Sequence, residues 1–177
     1  VGLAFKLSQA LLLKNPIEGV DLNDWLDLAA LGTVADVVPL IGENRKIVKA
    51  GIKKIRLGKR IGLRSLINCS GIHLGNLVAS NISFAIAPRI NAAGRLASPK
   101  LALELLMTSS SDRAGIISQE LDDLNRQRQK LTQELQKKAD EMVDNTEMIL
   151  FAYAEDFEAG LVGLVASKIT EFYYRPT

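Results

Sequence analysis

Asp36 is the residue whose surroundings most suggest chemistry, because it interrupts the apolar run at residues 34–38. An unpaired carboxylate would cost several kcal/mol to bury there, so the sequence predicts a partner for it. That partner is either a helix cap or an arginine such as Arg89 or Arg95, or else a bound cation. Catalytic Mg²⁺ or Mn²⁺ needs about six ligands, mostly oxygens, so Asp36 would supply only one of them.

A second group with chemical potential is the segment from Pro88 to Leu96, which carries two arginines, a carboxamide and small residues. Arginine presents a planar fork that matches phosphate oxygens, and small residues let a phosphate or another backbone approach closely. The segment therefore suits phosphate binding, with these candidate contacts: Arg89, Asn91, Gly94 and Arg95. The alternative is that both arginines pair with the acidic patch formed by Glu18, Asp21, Asp24 and Asp27.

The remaining polar and glycine-rich features are less specific. Nine basic residues and no acidic one lie between Arg45 and Arg64, which is typical of a nucleic-acid-binding face or of a solvated helix side. Gly160, Gly163 and Ser167 precede or begin a predicted helix without a Walker A ending, so they either approach a nucleic acid or allow close helix packing. His73 and Cys69 are interpreted as a loop residue and a packed small side chain.

Composition narrows the class of protein. The 177 residues are 47% hydrophobic and carry a net charge of +2, which predicts a folded core and excludes a uniformly cationic surface. One cysteine and one histidine make neither an internal disulfide nor a four-ligand zinc site. With no signal pattern and no membrane-spanning run, we expect a cytoplasmic protein.

Periodicity predicts a mainly helical chain whose last part is α/β. Helices are expected at residues 3–13, 21–31, 44–58, 77–86, 100–107, 111–143 and 160–173, and one or two helical turns near residues 62–67. Residues 82–86 also alternate well enough for a strand. Residues 32–40 are expected to form a buried turn, and residues 87–99 irregular backbone, because Pro88, Gly94 and Pro99 interrupt any period.

The predicted helix at residues 111–143 is long enough to connect two lobes, since it would reach roughly 50 Å. The apolar run at residues 148–153 is typical of a buried strand, so a second α/β domain is expected to begin near residue 147. Both ends of the chain look cut, which indicates a fragment. An alternative to an enzymatic function is a non-catalytic helical interaction module in which the apolar stripe from Ile117 to Met142 forms a dimer interface.

Several segments in this order resemble the RecJ family, the single-strand-specific 5′ to 3′ exonucleases of the DHH phosphoesterase superfamily. Residues 31–45, from Leu31-Gly32-Thr33-Val34-Ala35-Asp36 to Gly42-Glu43-Asn44-Arg45, are similar to the late aspartate motif of the family. Residues 87–96 are similar to its arginine-asparagine loop, residues 121–128 to its connecting helix, and residues 160–176 to the opening of its DHH-associated domain. The resemblance spans nearly the whole chain.

The resemblance implies an α/β fold with three parts: residues 1–110 as the mainly helical C-terminal part of a DHH domain, 111–144 as a long connecting helix, and 145–177 as a truncated DHH-associated domain. It implies that Asp36 is a catalytic metal ligand for Mn²⁺ or Mg²⁺. Arg89, Asn91, Gly94 and Arg95 would bind the substrate phosphate, and Gly160, Gly163 and Ser167 would contact nucleic acid.

The same resemblance implies hydrolysis of single-stranded DNA in repair and recombination, with single-strand-binding protein or other repair factors as further candidate partners. The Asp-x-Asp and Asp-His-His motifs of the family are absent, so this chain alone is expected to be inactive. Glu158 stands where relatives have a histidine, which puts a substrate contact there in doubt. A DHH phosphodiesterase for short oligonucleotides or cyclic dinucleotides is the alternative enzyme.

Overall fold

The computed structural model describes all 177 residues and is mainly helical, with no β-strand. Nine α-helices follow one another along the chain: α1 Gly2–Lys14, α2 Leu26–Ala35, α3 Gly42–Arg56, α4 Ile61–Cys69, α5 Ala79–Asn81, α6 Ala87–Leu96, α7 Pro99–Met107, α8 Ser111–Asp140 and α9 Ala159–Tyr173. Short 3₁₀-helices at Leu22–Trp25 and Leu74–Asn76 join some of them, and a π-helix at Ile82–Ile86 links α5 to α6. No helix is long and apolar enough to cross a membrane.

The main hydrophobic core lies between α2, α3, α4, α6, α7 and α8. It contains 17 buried residues, among them Leu66, Ile86, Leu105, Ile117 and Leu121. Because Ile117 and Leu121 on α8 pack inside this core, the apolar stripe of α8 is used within the chain. This placement argues against the dimer interface considered above.

A second, smaller core lies at the far end of α8. Ala139 there packs with Leu150, Val165 and Ile169, and the last two belong to α9. Helix α8, which is about 45 Å long at 1.5 Å per residue, therefore contributes to both cores.

The predicted mainly helical architecture is confirmed, whereas the strand predicted at residues 147–154 does not form, so the α/β part of the predicted fold class is wrong. Residues 147–149 form a bend, and exposure alternates only from Ile149 onward, with Leu150 buried while Ile149 and Phe151 are 68% and 79% exposed. A strand needs a neighbour to complete its backbone hydrogen bonds. Residues 148–153 form a single backbone hydrogen bond with a neighbouring segment, in which Leu150 N donates to Pro176 O at 2.8 Å.

Residues 87–99 were predicted to be irregular, and this prediction is also wrong, because α6 spans Ala87–Leu96. Pro88 lies in the first turn of α6, where a missing N–H costs no helical hydrogen bond. Residues 79–86 are helical rather than a strand, and residues 32–35, predicted to be part of a turn, are the last residues of α2. The other predicted helices are present, with α8 ending at Asp140 instead of Val143.

Candidate functional site

Asp36 lies at the C-terminal end of α2, with its side chain exposed. The helix ends in a Schellman motif: Val38 N donates to Thr33 O and Val37 N donates to Val34 O, both at 3.2 Å. Val37 occupies the left-handed position of this motif, with φ of 53°. Glycine is favoured there and a β-branched side chain is strained, so the backbone beside Asp36 stores strain of the kind found at functional sites.

Asp36 is exposed, so the prediction that it is buried is wrong. Its side chain makes no hydrogen bond or ion pair within the chain, and neither Arg89 nor Arg95 contacts it, so a bound cation is the predicted partner that remains. The C-terminal end of a helix carries partial negative charge from its free carbonyl groups, which disfavours a nearby carboxylate. Asp36 thus has an unfavourable environment that a cation would improve.

A hollow of about 340 Å³ lies beside Asp36, between α1, α2 and the start of α3. The polar side chains that line it are Lys6, Thr33, Asp36, Glu43 and Asn44. Glu43 is paired with Lys6 at 2.7 Å, which leaves Asp36 as the free carboxylate. No three acidic, histidine or cysteine side chains come together anywhere in the chain, so its own residues do not form a complete metal site.

Arg89 is held mainly by protein groups, and its side chain is 18% exposed. Its Nε donates to Asp122 Oδ1 at 2.8 Å, and its Nη1 donates to Ala85 O at 2.8 Å. The partner Asp122 lies on α8 and is 2% exposed. Arg89 therefore forms an ion pair, but with a partner outside the predicted acidic patch.

Two acids of the patch at residues 18–27, Asp24 and Asp27, pair with other cations. Asp27 is bound by Arg60 Nε at 2.7 Å, and Asp24 is bound by Lys54 at 3.0 Å. The Lys54 hydrogen bond holds the pKa of Asp24 below its ordinary value. The predicted alternative, pairing of the patch with Arg89 and Arg95, is thus wrong.

Asp122 is the residue that sequence reasoning missed. It binds Arg126 as well as Arg89, so one buried carboxylate joins two arginines. The sequence signal was the polar row Ser118, Asp122 and Asn125, which follows the apolar residues of α8 at helical spacing and is buried.

Arg95 lies one turn after Asn91 on the exposed side of α6, with Gly94 beside it. Its Nη1 donates to Gly160 O at 2.8 Å, at the start of α9. On α8, Arg128 Nη2 donates to Asn125 Oδ1 at 2.7 Å. Burial, and to a smaller extent the charge of Arg95, lower the pKa of the Arg128 guanidinium.

At the start of α9, Gly160 packs closely against the backbone of Arg95. A Cβ on Gly160 would lie 2.4 Å from Arg95 O, so only glycine fits there. Gly163 faces open space, and Ser167 Oγ donates to Gly163 O at 2.8 Å. The close-packing alternative therefore holds at Gly160, while Gly163 and Ser167 line an open side of the helix.

The basic segment at residues 45–64 is partly used within the fold. Lys54 and Arg60 pair with acids, while Arg56 and Arg64 bind the carbonyl groups of Leu77 and Gly58. The others are exposed: Arg45, Lys46, Lys49, Lys53 and Lys59.

His73 and Cys69 are placed as the sequence suggested. His73 is exposed in a loop, and Cys69 is a half-buried free thiol. Burial raises the pKa of the Cys69 thiol, which disfavours a reactive thiolate.

Comparison with known proteins gives one consistent result, although no protein-family profile matches the chain. The chain is 41% identical to the single-stranded-DNA-specific exonuclease RecJ of Bacillus subtilis, over 99% of this chain and 22% of that protein. It is 38% identical to RecJ of Escherichia coli, over 88% of this chain and 28% of that protein. The chain spans between 22% and 34% of the length of the curated relatives it matches.

Solved structures agree with this similarity. Crystal structures of RecJ from Thermus thermophilus, in complex with Mn²⁺ and with Mg²⁺, each match with a TM-score of 0.89 and 37% identity. The match covers 98% of this chain in both cases, and 26% and 27% of the crystallised chains. In sequence and in fold, nearly the whole of this chain corresponds to part of a RecJ exonuclease.

Proposed function

Because this chain matches RecJ exonucleases over nearly its whole length, we propose that it is part of a metal-dependent nuclease that degrades single-stranded DNA from 5′ to 3′. The names of the relatives support the nuclease activity and the single-stranded substrate. The direction of digestion and a role in DNA repair and recombination are parts of the proposal. Since the substrate is DNA, we place the protein in the cytoplasm, with single-strand-binding protein as a candidate partner.

The observation that carries the proposal is the position of Asp36. It is an exposed carboxylate, it has no protein cation, and it lies at the negative end of α2 beside a strained Val37. In the proposal, Asp36 supplies one oxygen ligand to Mn²⁺ or Mg²⁺, and residues outside this chain supply the others. Such an ion, when bound, stabilises developing charge on the phosphate and activates water for attack.

The residues of α6 would bind the DNA strand. Asn91 and Arg95 lie on one exposed face, and Gly94 between them adds no side chain that would block a phosphate. Arg89 would act mainly by fixing α6 to α8 through Asp122, with its remaining N–H groups available to the substrate.

We also propose a division into three parts: a DHH domain portion at residues 1–110, the connecting helix at 111–144, and the start of a DHH-associated domain at 145–177. The two separate hydrophobic cores, joined by α8, support this division. Gly163 and Ser167 would contact nucleic acid on the open side of α9.

The proposal is tested by the substitution Asp36→Asn in the complete exonuclease that contains this segment. Loss of a charged ligand that stabilises the transition state should lower Mn²⁺-dependent cleavage of a 5′-phosphorylated oligonucleotide by on the order of 10²–10³-fold. The matched control is Asp123→Asn, which removes an exposed acid that contacts only Gln119 and should leave cleavage unchanged. Cleavage at the wild-type rate by the Asp36→Asn enzyme would contradict the role of Asp36.

A further inference from the structure

A groove of about 300 Å³ lies along α3, where that helix meets the segment that leads into α5. It shares no lining residue with the hollow beside Asp36. The floor of the groove is aliphatic, since Val48 is buried and Ile52 packs against the main hydrophobic core. Leu40 and Val78 also line the groove and are 37% and 45% exposed. An apolar group that entered the groove would therefore remove apolar surface from water.

Three cations of α3 line the same groove: Arg45, Lys49 and Arg56. Their spacing of four and seven residues places them on one face of the helix, in a row about 16 Å long. None of the three forms an ion pair within the chain, and no carboxylate lines the groove. Arg56 is held at one end of the row, because its Nε and Nη2 donate to Leu77 O at 3.0 and 2.7 Å. The groove is thus apolar inside and positively charged along one side.

This combination favours an acidic peptide that also carries aliphatic side chains. Along an extended peptide, successive side chains point to opposite sides, and side chains two residues apart are separated by about 6.6 Å. The rise along α3 from Arg45 to Lys49 is about 6 Å, which is close to that separation. Two carboxylates at alternate positions could therefore meet these two cations while the side chain between them entered the groove.

A single-stranded nucleic acid fits the groove less well than an acidic peptide does. Proteins that bind such strands combine cations with aromatic side chains on which the bases stack. No aromatic side chain lines this groove, and its floor consists of branched aliphatic residues. Its cations could meet phosphates, but its apolar part would have no matching group to bury.

We propose that this groove is a docking site for a partner protein that presents a short acidic segment with at least one aliphatic side chain. Arg45 and Lys49 pair with carboxylates of the segment, and Ile52 and Val78 contact its aliphatic side chain. Because such an interface is small and its charges are exposed, the interaction is weak and sensitive to salt. The proposal does not rest on the proposed nuclease function, since it follows from the shape and charge of the groove alone.

The experiment measures binding of a fluorescein-labelled peptide that repeats Glu-Leu-Glu-Ser to the 177-residue chain, by fluorescence anisotropy at low salt without metal. Lys49→Glu should weaken binding about tenfold, because it reverses a charge in the row. Lys53→Glu makes the same change one turn later, on a side of α3 that does not line the groove, and should change the affinity less than about twofold. Val78→Ser should weaken binding about threefold through loss of apolar contact.

Two further peptides separate the contributions of charge and apolar contact. A peptide with serine in place of leucine should bind about fivefold more weakly, and one with lysine in place of glutamate should not bind. Undetectable binding of the acidic peptide, equal affinity for the serine peptide, or equal losses in Lys49→Glu and Lys53→Glu would each overturn the proposal. So would a loss of dT15 binding in Lys49→Glu as large as the loss of peptide binding, because the groove would then be a nucleic-acid site.

The same titration of the complete exonuclease that contains this segment tests whether another part of that protein covers the groove. The acidic peptide should bind the complete enzyme with similar affinity, and Lys49→Glu should again weaken binding about tenfold. Absence of binding to the complete enzyme would assign the groove to an intramolecular contact and would overturn docking of a partner.

Discussion

Asp36 at the end of α2 and Asp122 within α8 differ in burial and in their partners. Asp122 is 2% exposed and binds two arginines, so its charge is used entirely within the fold. Asp36 is exposed at the end of α2 and binds no cation of the chain. A buried carboxylate must be satisfied by the protein, whereas an exposed one at an unfavourable position is available to a ligand. The free carboxylate is therefore the better functional candidate.

The largest effect on stability is expected at Asp122, and comparing it with Asp36 tests this difference in pairing. Asp122→Asn should lower the free energy of unfolding by about 3 kcal/mol, because it leaves Arg89 partly buried without its counter-charge. Asp36→Asn should change it by less than about 0.5 kcal/mol, or raise it slightly, because it removes a negative charge from a helix C-terminus. Urea unfolding of the 177-residue chain, followed by circular dichroism, measures both values.

Equal destabilisation by the two substitutions would break the comparison, since it would mean that Asp36 is also satisfied within the fold. Asp123→Asn, next to Asp122 but exposed, controls for loss of negative charge on α8 and should be close to neutral.

A smaller effect is expected at the contact between α9 and α6. Gly160→Ala should destabilise the chain by about 1–3 kcal/mol, because the added methyl group would overlap Arg95 O. Gly163→Ala, three residues later on the same helix, meets nothing and should stabilise it by about 0.5–1 kcal/mol through higher helix propensity. Thermal unfolding of the two variants should show opposite shifts, and shifts of the same sign would contradict the packing described for Gly160.

The smallest effect concerns a carboxylate that is paired yet exposed. Arg113 holds the pKa of Glu104 below its ordinary value of 4.5, chiefly through a hydrogen bond from Nε at 2.6 Å. Since the folded pKa is lower than the unfolded one, the stabilisation is complete above about pH 4.5 and is lost as pH falls through the folded pKa. The melting temperature of the wild type should thus be slightly higher than that of Glu104→Gln at pH 7. The difference in melting temperature should vanish in acid.

High salt should also reduce that difference at pH 7, because both side chains are nearly half exposed and screening is effective. A difference that persisted at low pH would show that Glu104 acts through packing rather than through its charge.

Most helices were predicted from the sequence because their buried residues recur at helical spacing. Helix α3 buries Ile47, Val48 and Ile55, and α8 buries Ile117 and Leu121, at the spacings expected. Helix α6 was missed because proline and glycine count as helix breakers in a local window, although Pro88 lies in a first turn that accepts it. The π-helix at Ile82–Ile86 leads directly into α6, and a local sequence window does not reveal this continuity.

The candidate site was predictable only in part, because pairing is a three-dimensional property. Asp36 and the residues of α6 were identified from their types and from a family resemblance. The environment of Asp36 was predicted wrongly, since an apolar neighbourhood in sequence did not mean burial in space. Asp122 lies 33 residues beyond Arg89, so its contact with α6 depends on how α8 crosses the core.

Helix α8 can be considered as a mechanical lever. It carries Asp122 and Arg128 beside the main core and Ala139 in the second core, about 45 Å from end to end. Ala139 lies 17 residues beyond Asp122, about 26 Å along the helix axis, so a tilt of about 5° at Asp122 would move Ala139 by roughly 2 Å. The ion pair between Asp122 and Arg89, which joins α8 to α6, opposes that tilt and thereby keeps the second core in place relative to the main core.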